Sequence, residues 1–72
     1  MAQTNEKTFG QNIYRLRNAQ KLTQEQLAEK ADTSRRYVQL MEAGQHSPSL
    51  HVICSLRKGL NVSWDDLLAG IG

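Results

Sequence analysis

Three side chains that can read the edges of base pairs lie close together in the middle of the chain: Arg35, Arg36 and Gln39. An arginine can donate two hydrogen bonds to guanine O6 and N7, and a glutamine can pair similarly with adenine N6 and N7. Leu40, beside them, could contact a thymine methyl group. Two adjacent arginines can also belong to an ordinary solvated helix face, so their sequence context must decide between the two interpretations.

That context is a pattern of two short helices joined by a tight turn, from Gln24 to Gly44. Ser34 can cap the second helix, and Gly44 can end it because glycine adopts the left-handed conformation without steric cost. The apolar positions spaced to seal the angle between the helices are Leu27, Ala31, Val38 and Met41. The arginines then lie on the outer face at the N-terminal end, which enters the major groove in a helix-turn-helix. We therefore favour base recognition by a helix over about residues 34–43.

The rest of the sequence predicts further short helices and no alternating strand pattern. Helices are expected to begin where a Ser or Thr is followed three residues later by a polar partner, at Thr8, Thr23 and Ser63. Pro48 suits the first turn of the fourth helix, because its missing N–H would have no partner there. The prediction is an all-α, compact five-helix bundle, with a flexible N-terminal arm at residues 1–7 and one DNA-binding domain at residues 8–72.

Composition limits the function classes. A chain of 72 residues buries only about 60% of its unfolded surface, so a partner subunit is plausible on stability grounds. The net charge is +2, and the basic excess lies in residues 1–47, with seven Lys/Arg against five Asp/Glu. The single Cys54 cannot form an internal disulfide, and no Cys/His cluster has metal-ligand spacing, so we expect no metal or cofactor. Without a signal or membrane-spanning stretch, a cytoplasmic location is expected.

Catalysis and single-stranded RNA binding are disfavoured. The sequence has no Ser/His/Asp set, paired carboxylates or phosphate-binding glycine loop, and its length leaves little room for a pocket. Its four aromatic residues are scattered, so they do not form a platform on which unpaired bases could stack. We therefore expect no enzyme activity.

Residues 9–69 resemble the phage-repressor/Cro (XRE) family of helix-turn-helix regulators, which includes small restriction-modification controller proteins and phage repressor domains. The resemblance rests on the segment LRNAQKLTQEQLAEKA, on PSL, on NVSWDDLL, and on Gly10, Ile13, Ser34, Val38, Glu42 and Gly44. It implies a five-helix domain that binds operator DNA, usually as a homodimer on a palindrome. Two departures lie in the turn, where Asp32 replaces the usual glycine and Thr33 an apolar residue; both could lower stability.

The resemblance also implies roles for particular residues. Arg35, Arg36 and Gln39 match base-reading positions. The positions expected to contact phosphates or position the protein on DNA are Gln24, Ser34, Tyr37, Gln45, His46 and Ser47. Arg17 and Glu42 match a partly buried ion pair between the first and third helices, although Arg17 could instead contact DNA. The loop carries no cation besides His46, so modest phosphate affinity is expected.

Several alternatives stay open. Trp64, Leu67, Leu68 and Ile71 could simply close the core, but we favour a homodimer contact because they exceed what a small core needs. His46 could be an ordinary exposed loop residue. A second hypothesis is an antitoxin or protein-interaction module that binds a toxin-like partner or RNA polymerase and autoregulates its operon. A neighbouring toxin-like gene would favour that hypothesis.

Overall fold

A computed structural model describes residues 4–72, which form five α-helices and no strand. The helices are α1 (Asn5–Ala19), α2 (Gln24–Lys30), α3 (Arg35–Glu42), α4 (Leu50–Leu60) and α5 (Trp64–Leu67). Each begins after a Ser or Thr whose side chain accepts a backbone N–H of the first turn. Such a cap satisfies one of the N–H groups that a helix start leaves without a partner. The predicted capping box at Thr23 and Gln26 is present.

Two predicted helix starts are wrong. Helix α1 begins at Asn5, because Thr4 rather than Thr8 is the cap, and the Thr8 backbone N–H donates to the Thr4 carbonyl at 3.0 Å. Residues 5–7 are therefore helical and not part of an arm, while residues 1–3 of the predicted arm lie outside the described residues. Helix α4 begins at Leu50 behind the Ser49 cap, two residues after the predicted Pro48.

The core lies where α3 packs against α1 and α2, with α4 on α2 and α5 on α1. Its fully buried side chains include Ile13, Leu27, Val38, Met41 and Leu67. Helices α1 and α3 meet at Gly10, where an added Cβ would lie 2.2 Å from the Met41 carbonyl oxygen. Only glycine fits at this distance, so the orientation of α3 depends on a residue in α1.

The turn between α2 and α3 holds Asp32 in the left-handed conformation, with φ of 54°. This is where the family's glycine was expected, and aspartate tolerates the conformation better than most residues. The Thr33 N–H donates to the Ala28 carbonyl at 2.9 Å and closes the end of α2. The turn therefore fixes the angle between α2 and α3 despite both departures from the family pattern.

Candidate nucleic-acid interface

The first turn of α3 presents its polar side chains outward. Val38 and Met41 are fully buried, and they fix the rotation of the helix about its axis. Arg35, Arg36 and Gln39 consequently lie on the opposite face and are exposed. Within residues 4–72, no hydrogen bond or ion pair engages these three side chains. Their donors are free to bind a ligand.

A buried ion pair holds α3 against α1. Arg17 Nε donates to Glu42 Oε2 at 2.7 Å, and Arg17 Nη2 donates to Glu42 Oε1 at 3.1 Å. The two side chains are only 10% and 6% exposed, and Arg17 Nη1 also donates to the Leu22 carbonyl at 2.8 Å. The hydrogen bonds that Arg17 donates to Glu42 raise the pKa of Arg17 above its ordinary value. The predicted ion pair is thus present, and it and the Leu22 carbonyl together use three of the five N–H groups of Arg17.

Gln24 extends this network to the start of α2. Its Nε2 donates to Glu42 Oε1 at 3.1 Å, which uses one of the two amide N–H groups. Gln24 and Arg35 line the same open depression of about 450 Å³, between the starts of α2 and α3. The second N–H of Gln24 is left for another acceptor. The predicted positioning residue therefore lies beside a predicted base-reading residue and shares a partner with the ion pair.

The segment after α3 folds back onto the helix. The Gln45 N–H donates to the Leu40 carbonyl at 3.0 Å, while Gly44 takes a φ of 71°. The His46 ring then contacts Tyr37 edge-on, with 4.8 Å between ring centroids. Gln45, His46 and Ser47 are exposed, and Leu40 and Tyr37 are half-buried. The structure thus brings the predicted phosphate-contacting residues of α3 and the loop onto one continuous surface.

The predicted dimer residues separate into two groups. Leu67 is completely buried in the core, so its prediction as an interface residue is wrong. It faces inward because α5 packs on α1 through this side chain. Trp64 and Leu68 remain 43% and 36% exposed, and Ile71 is half-buried. The Arg57 guanidinium lies 5.0 Å from the centroid of the Trp64 ring.

The sequence prediction missed Asn12. It is buried, and its Nδ2 donates to the carbonyls of Leu67 at 3.0 Å and Ala69 at 2.8 Å. These bonds hold the end of α5 against α1. The available signal was an asparagine between Phe9 and Leu16 on the apolar stripe of α1, where a polar side chain must find a partner.

Residues 4–72 contain neither a metal-binding cluster nor a membrane-spanning helix. No group of three or more His, Cys, Asp or Glu side chains there is arranged to hold a metal ion. None of the helices described is both long and apolar enough to cross a membrane.

Known proteins share this arrangement. A family model described as helix-turn-helix, HTH_3, matches residues 13–67. The immunity repressor protein of Bacillus phage phi105 is 42% identical over 55 residues, which cover 76% of this chain and 38% of that protein. The HTH-type transcriptional activator BcrR of Enterococcus faecalis is 36% identical over 62 residues, which cover 86% and 30%. The chain therefore spans well under half the length of these two curated relatives.

A solved structure agrees over nearly its full length. The restriction-modification controller protein C.AhdI from Aeromonas hydrophila superposes with a TM-score of 0.82 at 37% identity, over 86% of this chain and 94% of that one. The family model, these relatives and the α2–α3 geometry lead to the same assignment. The chain belongs to the HTH_3 helix-turn-helix family.

Proposed function

We propose that the protein regulates transcription by binding double-stranded DNA at specific sequences, without catalysing a reaction. The observation that carries this proposal is the N-terminal half of α3, where Arg35, Arg36 and Gln39 are exposed and have no hydrogen-bond or ion-pair partner among residues 4–72. A free arginine fork on a rigid helix is suited to guanine in the major groove. The similarity to a phage immunity repressor and to a transcriptional activator supports the same function.

The side chains divide between reading bases and binding the backbone. We assign base contacts to Arg35, Arg36, Gln39 and Leu40. We assign backbone positioning to Gln24, Ser34, Tyr37, Gln45, His46 and Ser47. Two of the positioning groups keep a free donor: Gln24 has its second amide N–H, and the Ser34 oxygen accepts from the Tyr37 N–H at 3.1 Å while its own hydrogen remains available. Phosphate oxygens only accept, so free donors are what such contacts need.

We further propose a homodimer on a palindromic operator. Trp64 and Leu68 are the exposed apolar side chains of the α5 region, and Ile71 is partly exposed beside them. To bind two half-sites one turn of the duplex apart, such a dimer must hold its two copies of α3 about 34 Å apart. A bacterial or phage operator would place this activity in the cytoplasm. Binding to a toxin-like partner or RNA polymerase stays a prediction.

Selection of duplexes from a random pool tests the function. The expected result is an enriched palindrome whose half-sites are about 10 base pairs apart, centre to centre. The affinity for the winning duplex should fall steeply as salt rises, because phosphate contacts release counterions. A pool that stays random after repeated rounds would overturn sequence-specific binding. Enrichment of a single half-site would support sequence-specific DNA binding but contradict the proposed homodimer.

A further inference from the structure

We propose that Lys7, at the start of α1, is an additional phosphate-contacting residue that supplies the cation missing from the loop after α3. This inference rests on the proposed DNA-binding function. The loop itself, Gln45-His46-Ser47, contains no lysine or arginine. The structure brings a lysine from another helix to its side, 37 residues away in sequence from Gly44.

Lys7 is held against the end of α3 by close packing. A Cβ added at Gly44 would lie 2.6 Å from Lys7 Cγ and 3.0 Å from Lys7 Cα, so the lysine stem lies directly on this glycine. The Thr4 cap holds the first turn of α1 in place, because its hydroxyl oxygen accepts a hydrogen bond from the Lys7 backbone N–H at 3.2 Å. The side chain is nevertheless exposed as a whole. A packed stem with a free ammonium group is the usual arrangement for a surface lysine that contacts a charged partner.

The groups around the Lys7 stem are suited to an anion. An open depression of about 290 Å³ is lined by Lys7 together with Thr4, Glu6, Gly44, Gln45, His46 and Ser47. Most of these residues offer a side-chain donor, and Lys7 is the one lysine or arginine among them. Glu6 is the one carboxylate, and adjacent positions on a helix do not face each other. No ion pair joins Glu6 and Lys7 within the described chain.

The position relative to α3 puts Lys7 beside a DNA backbone. Helix α3 has 8 residues, which span about 12 Å at 1.5 Å per residue, close to the roughly 12 Å width of the major groove. Because the N-terminal end of α3 enters the groove to contact bases, its C-terminal end lies toward the edge of the groove, where the phosphates are. Gln24 lies between the two ends, since it lines a depression with Arg35 and donates to Glu42, whereas the folded-back loop with Lys7 lies at the C-terminal end of α3. His46 ties that loop to the helix through its contact with Tyr37.

The test compares Lys7→Met with Lys58→Met, which removes the same charge from an exposed lysine at the far end of α4. Methionine keeps most of the stem on Gly44, so the unfolding temperature should be unchanged. The slope of log affinity against log salt should become shallower by about 0.9 for Lys7→Met, which corresponds to about eightfold weaker binding at 0.1 M salt. The loss should be equal on the selected duplex and on random duplex. Lys58→Met should keep the wild-type slope. Lys7→Arg should also keep it, because arginine retains the positive charge.

Each outcome has a distinct meaning. If Lys7→Met binds with the wild-type slope and affinity, the Lys7 contact is refuted while the proposed function stands. If the selected duplex loses much more affinity than random duplex, Lys7 reads bases, and the phosphate contact is again refuted. A wild-type protein that binds no duplex would refute the proposed function itself. Should Lys7→Met be unstable, Lys7→Gln provides the same removal of charge, and an unchanged slope for it would equally refute the contact.

Discussion

Replacing Glu42 with alanine leaves the buried Arg17 guanidinium without its main partner. The substitution removes two hydrogen bonds from Arg17, at 2.7 and 3.1 Å, and one from Gln24, at 3.1 Å. Removing one member of a buried pair typically costs about 3–5 kcal/mol, because the other charge stays buried. Arg17 keeps its bond to the Leu22 carbonyl, so we expect a loss near the lower end, about 3 kcal/mol.

This loss is large relative to the stability of so small a domain. At about 0.05–0.15 kcal/mol per residue, the whole chain has a free energy of unfolding of about 4–11 kcal/mol. A loss of about 3 kcal/mol should lower the midpoint of thermal unfolding by about 12–24 °C in a domain of this size. Circular dichroism at about 222 nm follows helix content during heating and gives the midpoint of thermal unfolding. Urea unfolding at about 25 °C gives the free energy of unfolding. The exposed Glu29→Ala serves as control and should change stability by less than about 0.5 kcal/mol.

A double variant separates the ion pair from simple loss of packing. If the unpaired charge causes the instability, then Arg17→Met combined with Glu42→Leu should recover much of what Glu42→Ala loses. Gln24 can return to water in that variant because it is only half-buried. A loss below about 1 kcal/mol for Glu42→Ala, or a double variant no more stable than the single one, would refute the reasoning.

Three further predictions follow from single contacts. Gly10→Ala should prevent stable folding or displace α3, since the new Cβ would lie 2.2 Å from the Met41 carbonyl oxygen; a normal unfolding temperature would contradict this. Asn12→Ala should cost about 2–3 kcal/mol in urea unfolding, because the buried Leu67 carbonyl and the part-buried Ala69 carbonyl lose their donor; a cost within error of zero would show that water replaces the amide. Trp64→Ala with Leu68→Asp should weaken self-association by more than tenfold, about 1.4 kcal/mol, in sedimentation experiments while the monomer stays helical; unchanged association would place the dimer contact elsewhere.

The sequence predicts best the features that depend on neighbouring residues. Caps at Thr23, Ser34 and Ser63 and the turn at Asp32 follow from local hydrogen bonding and backbone sterics, so they could be read from residue types. The start of α1 was misplaced because both Thr4 and Thr8 can act as caps. A cap position alone does not show how far the helix extends toward the N-terminus.

Features that depend on distant residues were less accessible. The partners of Asn12 lie more than 50 residues away, and Lys7 meets Gly44 only because α1 packs on α3. Leu67 and Leu68 are adjacent and identical in type, yet only one is buried. The four residues of α5 are too few for an apolar pattern to distinguish the two faces.

The ratio of affinities for the selected duplex and a scrambled duplex tests the central claim most directly. The account predicts that Arg35→Ala and Arg36→Ala each lower this ratio by about 5–150-fold, the equivalent of 1–3 kcal/mol for a bidentate base contact, while the unfolding temperature stays near that of the wild type. Gln24→Ala should weaken both duplexes alike and leave the ratio unchanged. Arginine variants that retain the wild-type ratio, or that weaken both duplexes equally, would contradict base recognition by α3.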